Sequence, residues 1–69
     1  MFIAKDLKND SDNKGSVLGW GVVKNAPWSL SGVYATKEEA NAKALVAGDG
    51  YEVKYGSHRL GSDDFVSGQ

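Results

Sequence analysis

The chain has 69 residues, with eight Lys and Arg against nine Asp and Glu and no cysteine. That length allows one domain with a small core, and the lack of cysteine excludes a disulfide framework and a Cys-based zinc site. A net charge of −1 without any block of like charges argues against a dedicated duplex-DNA binder, whose footprint is a basic stripe.

In chain order, Phe2 to Leu7 alternates and predicts a strand, with Phe2 and Ala4 on one face and Ile3, Lys5 and Leu7 on the other. Residues 8 to 16, KNDSDNKGS, are turn formers without an apolar side chain and predict a solvated, mobile loop. Val17 to Lys24, VLGWGVVK, is β-branched and aromatic and predicts a second strand, in which Gly19 and Gly21 lie on the face opposite Trp20 and leave it open to close packing. NAPW turns the chain, since Pro27 offers no donor to a ladder, and Leu30 to Ala35 completes an antiparallel hairpin.

Thr36-Lys37-Glu38-Glu39 carries the pattern of a capping box, with both glutamates at the positive end of the helix dipole. The helix is predicted from about Lys37 to Ala47, with Gly48 and Gly50 as left-handed exits. At 100° per residue, Ala40, Ala44 and Ala47 fall on one side and Ala42, Leu45 and Val46 nearly opposite. The alanine side suits close approach to the sheet, on the Gly19 and Gly21 face. The other side needs a separate cover, either the tail with Phe65 and Val66 or a second subunit. Tyr51 to Tyr55 alternates as a last strand, placed parallel to the 30 to 35 strand if both share a sheet, and the tail 57 to 69 is partly irregular.

Three constellations resemble chemistry and fail on detail. Asp10, Asp12 and Gly15 stand at positions 1, 3 and 6 of a calcium loop, yet Lys14 and Gly21 occupy positions that need oxygen ligands. Ser57, His58 and Asp63 are the residue types of a hydrolytic triad without a nucleophile turn, so His58 and Arg59 read as exposed residues at a strand end. A single histidine with acidic neighbours supplies too few convergent ligands for a metal, so no cofactor is predicted. Gly48-Asp49-Gly50 and Gly19-Trp20-Gly21 do not open helices and lack the Lys and Ser or Thr of a phosphate loop.

The order of strand, hairpin, capped helix and Tyr-x-Val-x-Tyr strand, followed by Gly61-Ser62-Asp63-Asp64-Phe65, resembles short bacterial and phage α+β proteins of unknown function. Val33 to Val53 is similar to one half of a peptidoglycan-binding SPOR repeat in its Lys37-Glu38-Glu39-Ala40 helix start and in the glycine before the last strand. The second half of such a repeat is absent, so no glycan site is carried over.

The sequence therefore predicts a single α+β domain over 1–69: a small, mostly antiparallel sheet of three to four strands in β-β-β-α-β order, with one helix packed on one face. The leading functional expectation is a non-catalytic protein-binding module, an inhibitor or accessory factor of phage or mobile-element origin, that meets its partner through Trp28, Tyr34, Ala42, Leu45 and Val46. If the tail leaves the Leu45 side bare, a homodimer is expected. The alternative is a single-stranded nucleic-acid binder, with Lys24, Lys54, Tyr55 and Arg59 beside the sheet aromatics. Trp28 either folds onto the core, the favoured placement, or projects as an interface anchor. Short apolar runs predict no membrane span, and an N-terminus without a signal-like pattern makes the cytoplasm the default compartment.

Overall fold

The computed structural model describes residues 2–25 and 27–67; Ala26 of the predicted turn and the last two residues of the predicted tail lie outside them. Among the described residues, six strands and one helix follow in the order β1 (Phe2–Ile3), β2 (Lys8–Asn9), β3 (Ser16–Lys24), β4 (Ser29–Tyr34), α1 (Lys37–Ala47), β5 (Tyr51–Arg59) and β6 (Phe65–Ser67). All six strands join one sheet ordered β1-β4-β3-β5-β6, with β2 pairing to β3 beside that path. The α+β class and the single helix agree with the sequence reading, whereas the strand count is higher.

β3 is the spine. Its nine residues pair antiparallel with β5 from Ser16↔Arg59 to Lys24↔Tyr51, and its second half pairs with β4. Where β4 leaves for the helix after Tyr34, β2 takes the same edge of β3 through Lys8↔Leu18 and Asn9↔Val17. Because β4 and β5 are both antiparallel to β3, they run parallel to each other, with α1 crossing between them. A bulge at Ser31 falls between the pairs Val22↔Gly32 and Val23↔Leu30, a device that sharpens local twist. β1 on β4 is the one parallel pairing among the described residues.

Three strand expectations change. The N-terminal strand stops at Ile3, although Ile3 and Leu7 do share a face, and Lys8–Asn9, expected in the loop, belongs to the sheet. The Tyr51 strand runs on through Gly56 to Arg59, because β3 offers a partner along its whole length and no proline interrupts the ladder.

α1 starts where the capping pattern places it. Thr36 is extended, and its hydroxyl accepts from the Glu39 amide at 3.2 Å. The helix ends on Gly48: its N–H still donates to the Ala44 carbonyl at 3.3 Å, and its positive φ then turns the chain out of the helix. Ala40 is fully buried and Ala44 half-buried against the sheet, whereas Ala47 in the last turn is exposed, so the alanine side faces the sheet over its first two members.

The face it meets is a correction: α1 lies over Trp20, Val22, Tyr34, Tyr51 and Val53, not over Gly19 and Gly21. The reason is area, since an alanine stripe needs large partners to make a core and the two glycines themselves supply none, while the side chains around them are already packed on one another. The glycine face is closed differently. Val33 and Leu7 lie against Gly19, the Phe65 ring covers Gly21, and with Val23, Leu30 and Ile3 they form the second apolar layer. Of the two covers considered for the Leu45 side, the tail does not supply one: Phe65 is committed to the far side of the sheet, and Leu45 and Val46 remain 87% and 84% exposed.

Candidate functional site

Where β3 and β5 run past the N-terminal end of α1, their shared face is left open. Alternation puts Ser16 and Leu18 of β3 beside Tyr55, Ser57 and Arg59 of β5 on that face. The β2–β3 turn rises along one side and Asp64 with Val66 along the other, enclosing a groove of about 650 Å³. The turn is built by its own hydrogen bonds. The amide of Asp10 donates to the Ser16 carbonyl at 2.9 Å, and the Asp10 carboxylate accepts from the Asp12 amide and the Asn13 side chain, each at 3.0 Å. Hydrogen bonds from Asn13 first, then from Ser57 and the Asp12 amide, hold the Asp10 carboxyl below its usual range. The Leu60 amide donates to the Gly15 carbonyl at 2.9 Å and ties the β5–β6 loop to this turn.

Tyr55 forms one wall of the groove. Its ring meets Trp20 edge-on, with centroids 5.0 Å apart, and Lys37 lies 5.8 Å from the Trp20 centroid. This stack fixes the tyrosine while leaving it partly exposed. Ser16 is only 8% exposed, and its hydroxyl makes no hydrogen bond with any described residue.

His58 and Ser57 are consecutive on β5 and so point to opposite sides of the sheet. His58 is 1% exposed, and its Nδ1 donates to the Asp64 carbonyl at 2.9 Å. It is a core residue that pins the β5–β6 loop, not the exposed strand-end residue expected, because β5 continues past Gly56 and β6 folds over it. The hydrolytic grouping is thereby taken apart. Among the described residues, no three His, Asp or Glu side chains are grouped to hold a metal ion.

The sequence-predicted partner residues separate in space. Tyr34 is buried, stacked 5.2 Å from Phe2, and carries a hydroxyl pushed above its usual range by burial and then by the charge of Glu39; it is unavailable to a partner. Trp28 is 41% exposed, so the favoured core placement does not hold. Its Nε1 donates to the Asp63 carbonyl at 3.0 Å and joins the β3–β4 turn to the β5–β6 loop. Ala42, Leu45 and Val46 remain together on the open side of α1.

Of the nucleic-acid set, Tyr55 and Arg59 meet in the groove. Lys54 is on the opposite sheet face, and Lys24 sits over the Tyr51 ring at the far end, 5.7 Å from its centroid. Tyr51 is further held by a 3.0 Å hydrogen bond with Ser29. The groove itself was missed by the sequence reading. Its one sequence signal is the alternation of Tyr51, Val53, Tyr55, Ser57 and Arg59, which continues past the glycine. No protein-family model, curated protein or solved structure matches this chain.

Proposed function

We propose that the chain is a non-catalytic protein-binding module, an accessory or inhibitory factor, that docks the outer side of α1 into an apolar groove on a partner protein. One observation carries this reading: Leu45 and Val46 stand almost fully exposed on a helix whose other side is sealed to the sheet. Ala42, Leu45 and Val46 are spaced i, i+3 and i+4, the anchor spacing of a helix received by a groove. An exposed leucine-valine pair on so small a surface costs solubility and is tolerated where it is used.

The size of the patch favours a groove over a flat contact. Three side chains are far short of the roughly 20 to 30 residues a side of a standard interface, whereas a groove encloses a helix on three sides. Self-association through the same face is the other occupant, and it is resolved by the same variant. Nucleic acid finds less support, since the lysines and aromatics assigned to it face different ways and carboxylates rim the groove.

Leu45→Glu is the test. A pull-down from host-type lysate with wild type, Leu45→Glu and the control Leu60→Glu, at an exposed residue outside the groove, should show one protein lost only with Leu45→Glu, while stability stays within about 0.5 kcal/mol. Identical captured sets for all three would reject the reading. A wild-type dimer in sedimentation that Leu45→Glu dissolves would assign the face to a second copy.

A further inference from the structure

We propose that the open groove between the β2–β3 turn and β5 receives the guanidinium of an arginine side chain presented by a partner protein. Charge, shape and an open polar group converge on it. Asp10, Asp12 and Asp64 face Arg59 alone, so the rim is acidic by two charges. The carboxylates are too dispersed to hold a metal ion, but a planar cation with five donors can bridge them. Tyr55, braced by Trp20, offers a fixed aromatic surface for the flat cation, and Leu18 on the floor suits an aliphatic stem. Ser16 lines this groove, and its hydroxyl, which bonds to no described residue, is open to the groove's solvent and not a buried unsatisfied group; a guanidinium N–H can take the place of water there.

A lysine ammonium would pair with one carboxylate but could not lie flat on Tyr55 while bridging two acceptors. Arg59 at the groove's end opposes a second cation, so the site suits one arginine and not a polybasic run. This assignment is independent of what α1 docks against, because the groove lies beyond the helix's N-terminal end and Leu45 near its C-terminal end.

The test is a titration of ¹⁵N-labelled protein with three capped tripeptides, acetyl-Gly-X-Gly-amide, with X as Arg, Lys or citrulline, and with free arginine. Citrulline keeps the shape and removes the charge. The arginine peptide is expected to saturate shifts at Asp12, Tyr55 and Ser57 and to bind about fivefold tighter than the citrulline peptide, with Asp12→Asn weakening it about fivefold as well. Asp12 is exposed in the turn and donates only its amide there, so that variant keeps the fold. Equal binding of the citrulline peptide, or binding indifferent to Asp12→Asn, would overturn the guanidinium assignment. Free arginine binding as well as the peptide would overturn the protein-borne source. Leu45→Glu should leave the titration unchanged, which separates this outcome from the fate of the α1 face.

Discussion

Gly56 is the position at which one methyl group should do the most damage. It pairs with Gly19 on one side and with Ser67 on the other. A Cβ built there collides with the Val66 carbonyl oxygen and comes within 2.8 Å of both Val66 C and Ser67 Cα. These are main-chain atoms and cannot rotate away. Relief therefore requires β6 to move off β5, which loosens Phe65 from the Val23, Leu30 and Val33 layer and the Asp64 carbonyl from His58.

Overpacking of this kind costs about 1–3 kcal/mol, and the lack of any side-chain escape puts Gly56→Ala near the upper end, about 3 kcal/mol. For a domain of this size, that is a fall in Tm of roughly 12–24 °C. Gly21→Ala is the internal comparison. Its Cβ comes within 2.7 Å of the Phe65 ring, whose edge can swing aside, so a loss of about 1 kcal/mol is expected. Without any clash, either change would gain a few tenths of a kcal/mol from the lower chain entropy of alanine, so the sign is informative. Urea unfolding would supply the free energies, and amide exchange at Phe65 to Ser67 would show where the damage lies. A Gly56→Ala stability within about 0.5 kcal/mol of wild type, or a cost no greater than that of Gly21→Ala, would refute a main-chain clash at Gly56.

Two further outcomes follow from local chemistry. Thr36→Ala removes the acceptor for the Glu39 amide and should cost about 1 kcal/mol in thermal or urea unfolding, with Thr36→Ser restoring most of it. Tyr34 holds its proton to higher pH when folded than when unfolded, through burial first and Glu39 second. Its contribution is therefore intact below about pH 10 and is lost as pH rises from there through the folded value, and Glu39→Gln should shift the Tyr34 phenolate transition downward when followed by ultraviolet absorbance.

The interiors of β3, β4 and α1 and the first half of β5 were legible in the chain, whereas β2 and β6 were not. Helix entry at Thr36 and exit at Gly48 are written in local hydrogen-bonding groups and backbone freedom, so α1 was predicted with its observed ends. The alternation in VLGWGVVK and YEVKY likewise assigns faces without a partner, because period two is a property of the strand itself.

Tertiary structure alone decided which face met which partner. An alanine stripe and a two-glycine strand face look complementary on paper, but burying small against small leaves little apolar area. The helix took the Trp20 and Val22 side, and Phe65, 44 residues along from Gly21, closed the other. The strand past Gly56 illustrates the same limit. Glycine and serine there resemble a turn until β3 is present to pair with them, and that pairing buries His58 and aligns Tyr55, Ser57 and Arg59 beneath Asp10 and Asp12. The groove is thus a consequence of register between segments some 40 residues apart. Local propensity specifies each segment's conformation; the contacts between segments depend on how all of them compete for a small amount of buried surface.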